Sequence, residues 1–175
     1  MRNSRRDLLS APEAVEAVKA VYAELEKRPV ERGCVRRTEC CQFRFTGKTP
    51  YLTRGEAMVA VEALRRTGVH RLAAKKNGNC PVLDESTGQC QIYADRPFGC
   101  RTHFCAAAGG LRPRREIQDL IWQLEDLDAR LGGVGPQRLP VALEEGLARS
   151  HAQGTARGAE VRAVQVKDAP RSRGR

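Results

Sequence analysis

Cys80-Pro81-Val82-Leu83, Asp84-Glu85-Ser86-Thr87-Gly88, Cys90-Gln91-Ile92-Tyr93 and Arg96-Pro97-Phe98-Gly99-Cys100-Arg101-Thr102-His103-Phe104-Cys105 follow one another almost without interruption. This stretch carries four of the seven cysteines in 175 residues, and it is too rich in turn formers to be a helix. Two short apolar triplets, Pro81-Val82-Leu83 and Gln91-Ile92-Tyr93, flank the polar Asp84 to Gly88. That is the composition of a small hairpin, with strands that begin or end at Cys80 and Cys90. Pro97 and Gly99 then force a tight turn at Cys100. A hairpin this short cannot stand alone, so whatever surrounds it must be packed by other elements.

Those elements read as helices. Ser10-Ala11-Pro12-Glu13 forms a capping box with proline just inside, and Val15, Val18, Tyr22 and Leu25 follow at helical spacing up to Arg28-Pro29, predicting a helix over 11–28. Thr53-Arg54-Gly55-Glu56 is a second capping box, opening a helix with Met58, Val61 and Leu64 on one face and Gly68 at its end. Pro113 starts the strongest pattern in the chain, Ile117, Leu120, Ile121, Leu124, Leu127 and Leu131, stopped by Gly132-Gly133. A short helix over 141–149 completes the set. Between the first two helices, Cys34, Cys40 and Cys41 read as an irregular loop, and the alternation of Phe43 and Phe45 predicts a short extended segment. Twenty-two alanines against eight aromatics also favour helix over a β-sandwich.

The cysteines fall into three groups: Cys34-x5-Cys40-Cys41, then Cys80-x9-Cys90, then Cys100-x2-His103-x-Cys105. Seven is odd, and no run of the N-terminus resembles a secretory signal, so the expectation is a soluble, cytoplasmic chain with reduced thiols. Reduced thiols at this density serve as soft donors for zinc, iron or iron–sulfur clusters. A few buried cysteines acting as small hydrophobes would not require seven between positions 34 and 105. Every cysteine is expected in a loop or hairpin. Neighbours in an extended strand face opposite ways, so Cys40 and Cys41 meet one ion only if the chain turns there. Spacing alone leaves one site or two. The lack of a Cys-x-x-Cys knuckle separates the pattern from common zinc fingers and from thioredoxin-like redox sites.

The net charge of +10 invites a polyanionic partner, but residues 149–175 contain seven Lys or Arg against Glu160 and Asp168, half of the excess. This tail lacks apolar periodicity and reads as disordered, with weak nucleic-acid contact as its functional reading and a solvated extension as the plainer one. No run is long and apolar enough to span a membrane.

Several further residues invite a role. His103 is placed either to ligate or to donate to a thiolate, whereas His70 and His151 read as surface residues. Arg96 and Arg101 flank Cys100: Arg96 suits bracing of the hairpin through Asp84, Asp95 or a carbonyl, and either guanidinium could offset thiolate charge. Arg112, Arg114 and Arg115 crowd a helix start, where cations are disfavoured, and read as a solvated basic turn rather than an anion site. Gly47-Lys48-Thr49 ends like a phosphate-binding loop, but Gln42 stands where the first glycine is required.

The adjacent cysteines, the Thr-x-x-Glu helix, Cys80-Pro81-x-Leu83, Cys90-x-Ile92-Tyr93-x-x-Arg96-Pro97-x-x-Cys100-Arg101 and the trailing Cys105 resemble the YkgJ-type cysteine-cluster family of zinc- or iron-chelating domains. The resemblance spans about residues 34–105. It implies that Cys34, Cys40, Cys41, Cys80, Cys90, Cys100 and Cys105 are metal ligands. The chain departs from the fuller Cys-x-x-Cys-x-x-Cys-Cys form in having only Cys34 ahead of the pair. A similar cluster in flagellin lysine methylases implies that an iron–sulfur cofactor and an enzymatic role are both open.

The combined expectation is a mainly α, single-domain chain with a small, irregular, hairpin-containing cysteine-rich metal-binding centre. It comprises an N-terminal helix within 1–30, a cysteine-cluster region over 31–135, a short helix within 136–149 and a basic tail over 150–175. Its function is chelation of zinc or iron, including as an iron–sulfur cluster, through the seven cysteines and His103. The alternatives are an enzyme that uses the cluster as cofactor and a zinc-stabilised nucleic-acid-binding protein. No protein partner is written in the sequence.

Overall fold

The computed structural model describes residues 9–30, 37–73, 75, 78–103, 105 and 108–152. Cys34 and nearly all of the basic tail, residues 153–175, lie outside the described residues. In chain order the elements are helix α1 (Ala11–Lys27), a 3-10 turn (Glu39–Cys41), the single-turn helix α2 (Phe43–Thr46), strand β1 (Tyr51–Leu52), helix α3 (Arg54–Arg66), strands β2 (Leu83–Asp84) and β3 (Gln89–Cys90), and a 3-10 turn (Tyr93–Asp95). The short helix α4 (Phe98–Thr102), a 3-10 turn (Arg114–Glu116), helix α5 (Gln118–Arg130), strand β4 (Gln137–Arg138) and a helix over 139–152, here α6, complete the chain.

Both capping boxes form. Glu13 accepts the backbone N–H of Ser10 at 2.9 Å, and Glu56 accepts that of Thr53 at 2.9 Å. These contacts satisfy donors that a bare helix start leaves open. Helix α3 is central and buries two faces. Val59 joins Val18, Val21, Tyr22 and Leu25 of α1 and Leu120, Leu124 and Leu127 of α5 in one apolar cluster. Ala57, Ala60, Val61 and Leu64 join Val82 and Leu83 of the hairpin and Leu139, Leu143 and Leu147 of α6 in another. Two glycines let helices close on α3, since a Cβ on Gly55 or on Gly146 would lie 2.9 Å from a methyl of Val18 or Val61.

The expected hairpin forms, pairing Leu83 with Cys90 and Asp84 with Gln89, but its strands are shorter and shifted toward the turn: Pro81-Val82 and Gln91-Ile92 are turns, and Tyr93 starts a 3-10 turn. A second antiparallel pair, Tyr51 with Arg138 and Leu52 with Gln137, ties the start of α3 to the start of α6. Its strands are two residues each, too short to leave an alternating signature in sequence. Among the described residues no helix is long and apolar enough to cross a membrane.

Three local expectations are corrected. Phe43 and Phe45 are not extended but sit in α2, where Phe43 packs on the core and Phe45 points outward at 82% exposure. Helix α5 does not begin at Pro113. The backbone makes a 3-10 turn, breaks at Ile117 (φ −135°) and becomes α-helical from Gln118. Buried Arg112 explains the delay, because its guanidinium donates to the Pro29 carbonyl at 3.1 Å and meets Glu116 at 3.4 Å. Arg112 thus ties two parts of the chain together and is not solvated, whereas Arg114 and Arg115 are exposed, as expected of a solvated basic turn. Nor are all cysteines in loops or hairpins: Cys40 and Cys41 occupy a 3-10 turn, and Cys100 lies within α4.

Candidate metal centre

Thr38 adopts a left-handed conformation (φ 56°) and reverses the chain into the 3-10 turn at Glu39–Cys41. With three residues per turn, successive side chains there are separated by about 120° and not the 180° of a strand. Adjacent Cys40 and Cys41 therefore reach the same neighbourhood. The Cys80 N–H donates to the Cys41 carbonyl at 2.7 Å, which docks the start of the hairpin segment on the turn. Cys90 is held opposite Leu83 by the hairpin register. Cys100 is presented by α4, whose first turn is closed by the Cys100 N–H on the Pro97 carbonyl at 2.9 Å.

Five thiols from these segments, Cys40, Cys41, Cys80, Cys90 and Cys100, line one cavity of about 700 Å³. Cys41 lies close enough to both Cys40 and Cys80 for their ionisations to be coupled. Each thiol raises the cost of ionising the next. Cys40 is pushed far above the usual thiol range by its donated hydrogen bond to Cys41, by burial and by the charge Cys41 would carry. At Cys41 the bond received from Cys40 lowers the pKa, but donation to Cys80, burial and the neighbouring Cys80 and Cys90 outweigh it, leaving a value of about 12. Cys90 is raised chiefly by burial, and Cys100 by burial and then by Cys41, Cys90 and Cys40. Arg96, stacked over the Tyr93 ring at 3.9 Å, is the cation whose charge opposes these shifts at Cys40, Cys90 and Cys100.

The donor set suits a soft cation. Thiols that each make ionisation of the next more costly lack positive charge among them, and a divalent ion would supply it while displacing the protons. Among the described residues no three or more His, Cys, Asp or Glu converge as a ready-made ion cage.

The remaining predicted site residues are placed differently. His103 lines the same cavity, and burial followed by the charge of Lys48 lowers its pKa, so its electrostatic neighbour is a cation. Cys105 is half-buried and does not line the cavity; its carbonyl accepts the N–H groups of Ala108 and Gly110. Cys34 lies outside the described residues.

Bracing of the turn at Cys100 is made by Arg101. Its Nε donates to the Arg96 carbonyl at 2.7 Å, its Nη1 meets Glu26 at 2.6 Å, it donates to the Ala94 carbonyl, and it stacks on Tyr22 at 4.4 Å. The planar fork of arginine suits this many directed bonds.

Glu56 is the residue whose wider role the sequence did not reveal. Its buried carboxylate caps α3 through Thr53 and also accepts the Phe98 N–H at 2.8 Å and the Tyr22 hydroxyl at 3.4 Å. One side chain thus joins α1, α3 and the start of the cysteine-bearing α4. Burial raises its pKa, while the bonds from Thr53, Phe98 and Tyr22 pull it down. A capping box signals the first contact, but no sequence pattern announces the other two.

A family model described as "Putative zinc- or iron-chelating domain" and named for its CxxCxxCC pattern matches residues 32–123, just over half of the chain. All seven cysteines fall within it. No curated protein and no solved structure matches the chain.

Proposed function

The chain belongs to the CxxCxxCC family of zinc- or iron-chelating domains, and on that premise we propose that Cys40, Cys41, Cys80, Cys90 and Cys100 supply the thiolates that hold its metal. The observation that carries this reading is that five thiols from separate chain segments line one cavity and that several of them are coupled through the charges they would carry. Arg96 stands where it offsets the excess charge of a thiolate-rich site. Bound zinc would act as a structural ion or a Lewis acid, and bound iron or an iron–sulfur cluster would add redox chemistry. Arg101 and Glu56 hold the Cys100 turn against α1 and α3, so the ligands are supported by well-packed helices.

Cobalt(II) titration of the reduced chain tests the ligand set. Thiolate ligation gives intense charge-transfer absorption that should weaken on Cys41→Ser, Cys80→Ser or Cys100→Ser and persist on Cys105→Ser. If no such absorption develops, or if Cys105→Ser abolishes it while Cys80→Ser does not, the assignment is wrong.

A second reading, in which the metal serves an enzyme, is favoured by the cavity itself. A volume of about 700 Å³ is far more than one ion needs and leaves room for a small molecule beside the thiols.

A further inference from the structure

The space beside the cysteines has its own chemistry. A thiolate-bound zinc lies about 2.3 Å from its sulfurs, so the ion occupies only the thiol end of a cavity of about 700 Å³. That volume falls within the range of sites for small organic ligands, roughly 300–1,000 Å³. Much of the rest of the lining is apolar, including Phe43 and, from the α5 region, Ile117, Ile121 and Leu124. Lys48, Arg114 and Arg138 also line it, and all three are exposed, so their charges stand where the cavity meets solvent. They come from three separate places: the loop after α2, the 3-10 turn before α5, and β4 opposite Tyr51. Arg114 is held in position by its Nε bond to Gln118 at 2.6 Å. Two carboxylates line the cavity. Glu125 is exposed, whereas Glu56 is buried and engaged by Thr53, Phe98 and Tyr22. The lining therefore joins an apolar interior to a predominantly cationic mouth.

We infer that this cavity binds a small organic anion, a carboxylate with an apolar body, whose body lies along Ile117, Ile121 and Leu124 and whose charge is met by Lys48, Arg114 and Arg138. The inference deepens the second reading above and rests on it for the metal at the inner end. It names the chemical class of what would be brought to that metal. A neutral ligand of the same shape would gain the apolar contacts alone, and a cation would face repulsion at the mouth. Opposite charges at such a site act on both affinity and encounter rate.

The test uses the full chain reconstituted with zinc, with the zinc-to-protein ratio measured first in the same sample. Amide NMR spectra are then followed during titration with octanoate, phenylacetate and, as the charge control, octylamine. At least one carboxylate should shift the amides of Ile121 and Leu124 and bind about tenfold more tightly than octylamine. A Lys48→Glu/Arg114→Glu variant, changed only at exposed positions, should reverse that preference while keeping its zinc. Equal binding of octylamine, shifts confined to other surfaces, or no binding by either carboxylate would overturn the inference. Zinc retained without ligand binding refutes the pocket and spares the metal centre. Ligand binding by a chain that holds no zinc does the reverse.

Discussion

At the scale of single residues, Glu56 shows how one side chain acquires a second task. Four donors, the N–H and hydroxyl of Thr53, the Phe98 N–H and the Tyr22 hydroxyl, converge on its two oxygens. Only a carboxylate offers acceptors on both sides; an amide turns an NH2 group against donors. Glu56→Gln is therefore expected to cost about 2 kcal/mol of stability, the scale of a buried polar group left unsatisfied. It should also speed alkylation of Cys100, two residues beyond Phe98. Chemical denaturation and thiol-labelling rates read the two effects, and an unchanged Cys100 rate would show that Glu56 does not position that turn. On the surface, Arg28 binds both the Glu116 carbonyl and the Asp119 carboxylate. Its hydrogen bond, ahead of its charge, holds the Asp119 pKa down at about 2, against an ordinary value of 3.8. Because the folded value is the lower one, the stabilisation is complete above the ordinary value and disappears as pH falls through the folded one. Arg28→Ala should return the carboxyl to its ordinary titration, as followed by carbon NMR; an unmoved curve would assign the shift to another cause.

Among elements, the long-period signals proved legible and the single turns did not. Both capping boxes and the apolar spacing of α1 and α3 locate those helices to within two residues. The Asp84 to Gly88 segment does join the two strands of a hairpin. By contrast, α2, the 3-10 turn at Cys40–Cys41 and β1 with β4 span two to four residues each, too few for any period to show. The delayed start of α5 was hidden for another reason, because it depends on Arg112 reaching a carbonyl at Pro29, far away in sequence. Gathering of the cysteines was expected from their number, yet which of them share a wall depended on those same short turns. The C-terminal end of α5 makes an element-level prediction. Buried Asp128 accepts the Arg54 N–H at 2.6 Å and the Gly135 N–H at 2.9 Å, bridging α5 to the start of α3. A Cβ at Gly133 would fall 2.2 Å from that carboxylate. Gly133→Ala should therefore destabilise the fold by about 2 kcal/mol through overpacking and loss of the bridge. A variant as stable as the parent in urea would show that the bridge is not needed.

For the molecule as a whole, two apolar clusters meet on α3, and the cysteines sit at the edge of the one built from the hairpin and α6. Cys80 is buried within that cluster, while Cys41, Cys90 and Cys100 pack against it. With these thiols as the proposed ligands, removing metal would leave neutral thiols in the same crowded space and forfeit the binding energy that holds three segments together. Chelation is expected to lower the melting temperature and to expose Cys90 and Cys100 to labelling, whereas α1 and α5, packed on the other cluster, should keep their amide protection. Uniform loss of protection across the chain would mean that the two clusters do not unfold separately. The central claim is that this cysteine cluster holds zinc or iron, and its most direct test is the metal content of the chain purified without oxygen or chelator. The expected result is zinc or iron in a fixed ratio near one or more per chain, retained through extensive washing and lost from a Cys41→Ser/Cys80→Ser variant. Metal-free protein from the parent chain, or equal metal in the parent and the variant, would contradict it.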